Sequence, residues 1–146
     1  MELHMKKRCI SAYVENQIGV LAKISGLFAG KNYNLDTLTV GETEDPTMSR
    51  MTIDLTCDDL RYEQIIKQLN RSVEVIKVID FTDMAITKKE LLFIKVNSCK
   101  EADKQEIFRI AQTFDLLVVD YNRKSVLVQC VKTVSKNNDM IALFKD

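Results

Sequence analysis

Asn16, Gly19, Asn34 and Gly41 are the residues of this chain whose types and spacing best suit ligand chemistry. Asn16 and Gly19 fall in the polar turn "ENQIG", and Asn34 falls in "GKNYN". The two turns bracket an apolar pattern of helical period. A helix start presents backbone N–H groups without intrahelical partners, and the helix dipole adds positive potential there. The N–H groups of Gly19, Val20 and Leu21 would therefore attract a carboxylate without help from Lys or Arg. Gly19 lacks a Cβ, so a ligand can come close to its N–H. Each asparagine amide both donates and accepts, which suits a zwitterion such as a free amino acid. Asn and Gly are also common turn residues. From spacing alone, ligand binding and plain turn formation both remain open.

Other chemistries find less support. The one His, His4, lies in the N-terminal tail, and no GxSxG, HExxH or GxxxxGK[ST] pattern occurs. Carboxylates are plentiful on helix faces and turns, so an acid–base pair among them stays open. Cys9, Cys57, Cys99 and Cys130 form no CxxC pair, which argues against zinc and against a metal carrier. They read as reduced, buried small hydrophobes of a cytoplasmic protein. Lys plus Arg equals Asp plus Glu at 21 each, without the basic excess of a nucleic-acid binder. The strands "LDTLTV" and "MSRMTIDLT" carry no aromatic ring for stacking bases, which weighs against an RNA-recognition module. No apolar run is long enough to span a membrane. "MELH" reads as a remnant ahead of a natural start at Met5, and it has no signal-peptide h-region.

The elements that must position these residues follow from the period of the apolar pattern. "CISAYVE" alternates, predicting a strand with Ile10, Ala12 and Val14 on one covered face. Val20, Leu21, Ile24, Leu27 and Phe28 then follow helical spacing. "LDTLTVGE" and "MSRMTIDLTC" are strands around a turn at Pro46. "DDLRYEQIIKQLNR" is a helix capped by Asp58 or Asp59, with Leu60, Ile65, Ile66 and Leu69 inward. "SVEVIKVID" closes a βαββαβ order. The pattern then restarts: strand "KELLFIKVNS", a helix with Ile107, Ile110 and Ala111 inward, a hairpin around Asn122–Lys124, and a last helix in "SKNNDMIALFKD". The second copy ends without a closing strand. The prediction is an α+β chain of two ferredoxin-like units, antiparallel sheets with helices on one face, divided as 7–82 and 83–146. Each unit is small, so the uncovered sheet invites a partner.

The segments "ENQIGVLAKISGLF", "YNLDTLTVGETEDPTMSRMTI" and "IIKQLNRSVEVIKV", in this order and spacing, resemble the small regulatory subunits of bacterial acetolactate synthase. The resemblance is strong over about residues 7–80, an ACT domain, and looser over 88–134. It implies a non-catalytic role in branched-chain amino acid biosynthesis. It further implies a homodimer joined through the first ACT domains, with valine or a related amino acid bound at that interface. Asn16, Gly19, Val20 and Leu21 would come from one protomer. Asn34, with the strand running to Gly41, would face them from the other. Gly41 stands where the family often has a small residue such as Ala. The partner implied is the catalytic subunit, which the chain would activate and subject to feedback inhibition. Thiamine diphosphate, Mg and FAD would belong to that subunit alone. An amino-acid-sensing ACT regulator of another enzyme is the alternative.

Overall fold

The computed structural model describes residues 5–30 and 33–145. His4, the "MELH" segment and the helix-stop residues Lys31 and Asn32 lie outside the described residues. The chain divides into two compact units between Ile86 and Thr87.

The first unit runs β1 (Lys6–Glu15), α1 (Val20–Gly30), β2 (Leu35–Glu42), β3 (Met48–Cys57), α2 (Asp59–Arg71) and β4 (Val75–Asp80). Its sheet is antiparallel in the order β2-β3-β1-β4, which leaves β2 and β4 as edges. Ile10, Ala12 and Val14 pack with Met51, Ile53 and Leu55 under Val20, Ile24 and Phe28 of α1 and Ile65 and Leu69 of α2. Two positions depart from the predicted stripes. Leu21 is 47% exposed and Leu60 67% exposed. In α2 the Asp58 cap, whose side chain accepts from the Arg61 N–H, sets a phase that turns Tyr62 inward in place of Leu60. Tyr62 lies under the Arg8 guanidinium, 4.6 Å from ring centroid to Cζ. Arg8 is itself buried and hydrogen-bonded to Asp59. Burial pushes the Tyr62 hydroxyl well above its ordinary range.

β1 also departs from the predicted single covered face, because Cys9 and Ser11 are buried as well. Their cover comes from residues remote in sequence. The Arg50 Nε donates to Ser11 Oγ at 2.9 Å, and its guanidinium lies 5.7 Å from the Phe81 ring centroid. The Phe81 N–H donates to the Cys9 carbonyl at 2.8 Å, and Thr82 Oγ1 accepts from the Cys9 N–H at 3.2 Å.

The second unit runs β5 (Glu90–Val96), α3 (Glu101–Thr113), β6 (Leu117–Tyr121), β7 (Val126–Lys132) and α4 (Val134–Phe144), with sheet order β5-β7-β6. Val126, Val128 and Cys130 of the central strand are fully buried, against Ile107 of α3 and Met140 of α4. Ile110 is only half-buried, while Ala111 takes the inward place beside Ile107. The hairpin closes on Asn122, whose Oδ1 accepts from the Lys124 and Ser125 N–H groups at 2.9 Å each. No closing strand pairs with β5 among the described residues, so its outer edge is open. All four cysteines are buried thiols, and burial raises those of Cys57 and Cys130.

α4 is fastened to the sheet by a fully buried Asn137. Its Nδ2 donates to the Glu90 carbonyl at 2.9 Å and reaches the Lys132 carbonyl at 3.5 Å. Asn137→Ala removes that donor and leaves a small void. The expected loss is about 1–3 kcal/mol of stability in this unit, read as a lower melting temperature of the full chain.

Candidate functional site

The β1–α1 loop is built by bonds to two neighbouring segments. The Asn16 N–H donates to the Thr47 carbonyl at 2.9 Å, and the Asn16 side-chain Nδ2 donates to the Pro46 carbonyl at 2.9 Å. Asn16 thus grips the β2–β3 turn, a structural duty for at least one amide proton. That turn is itself stiffened by Asp45, whose Oδ1 accepts from the Thr47 hydroxyl at 2.7 Å and N–H at 2.9 Å. Those bonds hold the Asp45 carboxyl below its ordinary range. From the other side the Glu15 N–H donates to the Glu74 carbonyl, and Lys23 pairs with Glu74 at 2.6 Å.

Gly19 has φ +85°, the left-handed region, so the loop's path favours glycine there. A Cβ at Gly19 would meet no atom within 4 Å. The space beside it is open. The Val20 N–H donates to the Gln17 carbonyl at 3.3 Å. The N–H groups of Gly19, Leu21 and Ala22 have no acceptor among the described residues. The predicted set therefore shifts: Val20 is engaged within the turn, and its side chain is core. Leu21 stands half out of the protein. Ile18, which turn chemistry alone did not single out, is fully exposed at the loop tip. Its signal was available: an isolated branched aliphatic side chain inside a polar turn, off the helical stripe.

Asn34 is elsewhere. β1 and β2 both run antiparallel to β3, so they are parallel to each other. Glu15 and Glu42 both end beside the start of β3, whereas Leu35 lies opposite Leu55 near its end. The eight residues of β2 span about 25 Å. Within one chain, Gly41 accompanies the Asn16–Leu21 loop and Asn34 sits at the far end. Around Asn34 lies an open polar cleft of about 250 Å³, lined by Tyr33, Asp36, Thr56 and Arg61 among others. Asp36 accepts from the Thr56 hydroxyl at 2.8 Å, and Arg61 lies 3.7 Å from Asp58.

Among the described residues nothing demands glycine at 41, where a Cβ would meet no atom within 4 Å. Every residue of β2 after Leu35 is exposed, including Leu38 and Val40 at 39% each. Among the described residues, no group of His, Cys, Asp and Glu could hold a metal, and no helix is long and apolar enough to cross a membrane.

Comparison with known proteins gives one consistent result. Residues 10–77 match the family model of the AHAS small subunit-like ACT domain, and residues 89–146 match that of the small subunit of acetolactate synthase. The acetolactate synthase small subunit of Aquifex aeolicus is 40% identical over 141 residues, which are 97% of this chain and 73% of that one. The Bacillus subtilis acetolactate synthase small subunit is 39% identical, over 95% of this chain and 81% of that one. The crystal structure of the acetolactate synthase small subunit from Thermotoga maritima superposes with a TM-score of 0.86 at 34% identity. It covers 94% of this chain and 86% of that one.

Proposed function

The chain belongs to the acetolactate synthase small-subunit family, and from that premise we propose that two copies pair along β2 to bind valine or a close analogue. As the small regulatory subunit it is non-catalytic and associates with the large subunit. In the proposed arrangement it activates that subunit and makes it responsive to the amino acid. Thiamine diphosphate, Mg and FAD remain with the large subunit.

The observation that carries the reading is the uncovered β2 edge. The charged residues Asp36 and Glu42 and a bulge between Leu35 and Thr37 sit near the two ends of this edge strand, and its uncharged middle, with no Lys and no Pro, exposes Leu38 and Val40. Natural edge strands usually carry such blocking residues unless they are paired. Antiparallel pairing of β2 with its copy about a two-fold axis brings the partner's Asn34 to the Gly19 end of this chain. Each end of the paired strands then holds one complete site. The effector carboxylate lies on the N–H groups of Gly19 and Leu21, beside the positive end of α1. The partner's Asn34 amide takes a polar group of the ligand. Ile18 and Leu21 offer an apolar wall for a branched side chain. Gly41 keeps the strand low where the ligand passes.

Titration calorimetry of the purified chain with valine, leucine and isoleucine tests the reading. Binding of at least one is expected, at one or two sites per dimer. Asn34→Ala removes a hydrogen bond to a charged ligand group, about 1.5–3 kcal/mol or tenfold or more in affinity. A melting curve should change little, since Asn34 lies outside the core. Lost stability with unchanged affinity would show that Asn34 only shapes a turn.

A further inference from the structure

The second unit's sheet has one face under α3 and α4 and one face bare. On the bare face Leu91, Phe93, Leu117 and Val131 are between 46% and 60% exposed. So many large apolar side chains side by side mark a contact surface. We propose that this face packs on the same face of a second copy, about a two-fold axis running along β7.

The arrangement of the face carries the choice of occupant. β7 is the middle strand, and its bare-face residues are Leu127, Gln129 and Val131. A two-fold along β7 sets each of them against its own copy, and none is charged. The two charges lie off the axis, on the outer strands. Lys95 of β5 and Asp120 of β6 are both register partners of Leu127, one on each side. Both are exposed, and neither has an ion-pair or hydrogen-bond partner among the described residues. Rotation about β7 exchanges the two sides while keeping the level along the strand. Lys95 then faces the partner's Asp120, and Asp120 faces the partner's Lys95. One level along, Phe93 and Leu117 are both partners of Gln129, so Phe93 faces the partner's Leu117. A surface built for an unrelated protein has no reason to be complementary to itself.

Three strands of this length present on the order of 350 Å² per copy, below the ~800 Å² per partner of a stable interface. The contact is therefore an auxiliary one, supported by the effective concentration that β2 pairing supplies. In that respect alone it rests on the dimer proposed above.

Two experiments on the full chain test it. Lys95→Cys and Asp120→Cys are made separately and treated with a short bis-maleimide, to which the four buried native thiols are closed. An equimolar mixture should give a covalent dimer, and neither variant alone should. Cross-linking by a single variant, or none from the mixture, overturns the proposal. Lys95→Glu alone should raise the dimer dissociation constant about tenfold in sedimentation, through two like-charge contacts. Lys95→Glu with Asp120→Lys should restore it to within about twofold. A constant unmoved by the single change, or no restoration, also overturns it. So does a fall in large-subunit binding that the double change fails to repair, which would assign the face to that subunit. If the mixture cross-links while a β2 variant leaves association unchanged, the β2 pairing fails and this contact stands. If the mixture gives no cross-link while a β2 variant abolishes association, this contact fails and the β2 pairing stands.

Discussion

A Gly19→Asp chain is expected to fold and to bind the large subunit, yet to have lost its valine response by at least a hundredfold. The N–H groups of Gly19 and Leu21 have no acceptor among the described residues, and the proposed site puts the ligand carboxylate on them. A second carboxylate at position 19 would sit about 4 Å from the first. At an effective dielectric near 20, two such charges repel by roughly 4 kcal/mol, more than the 2.7 kcal/mol of a hundredfold change. The new side chain can also turn back on the Leu21 and Ala22 N–H groups and occupy the site itself. The structure adds a control. Because Gly19 has φ +85°, any other residue there is strained, by about 1–2 kcal/mol, with Asn and Asp among the better tolerated. Gly19→Asn shares the shape and the strain but not the charge, and should keep affinity within about tenfold. The measurements are a melting curve, a valine titration and activation of the large subunit for both variants. Equal losses in the two would make the effect one of backbone strain and remove the carboxylate from this position. Full valine response in a folded Gly19→Asp chain would remove the ligand from the loop altogether.

Element order was legible because the apolar period switches cleanly between two and 3.6. The side each border residue takes was less so. Val20, Leu21, Ile24, Leu27 and Phe28 fit a helical stripe equally well, but such a stripe does not say which of two adjacent leading residues turns inward. Packing under α1 chose Val20 and left Leu21 out. Leu60 and Tyr62 pose the same problem in α2, decided by the Asp58 cap and by Arg8 of β1, whose guanidinium lies over the Tyr62 ring. The second covered face of β1 depends on Arg50 and Phe81, which lie 39 and more residues away and meet Ser11 and Cys9 only after the sheet forms. Asn137 reads as one of several polar residues in "SKNND", and only the helix phase set by the Thr133 cap selects it for burial. For the candidate site, turn chemistry singles out Asn16 and Gly19 as residues suited to a ligand, and the structure places both in the β1–α1 loop. The separation of Asn34 from Gly41 follows from plain strand arithmetic, seven residues along an extended chain, once β2 is known to be unbroken.

Leu38→Lys should shift the chain from dimer to monomer and abolish effector binding in the same step. Leu38 lies near the midpoint of β2, so a two-fold pairing of that strand brings it close to its own copy. Two lysines then meet at the axis, and the row of strand hydrogen bonds is met by a charge of the kind natural edges use to stay apart. Leu38 faces α1 and α2 beside Ile53 but is no member of the buried core, and at 39% exposure its ammonium can reach water. The expected dimer dissociation constant rises at least a hundredfold, about 2.7 kcal/mol, while the melting transition of dilute protein shifts by only a few degrees. Both half-sites survive intact in the monomer. Loss of valine binding would then follow from separation alone, since Asn34 and the Gly19 loop stand about 25 Å apart within one chain. Linkage requires the converse: saturating valine should push the variant back toward dimer, because a ligand that binds only the paired state favours pairing. Sedimentation with and without valine measures both. A Leu38→Lys chain that stays monomeric and still binds valine at full affinity would place the whole site in one protomer, and the shared site would be lost with it.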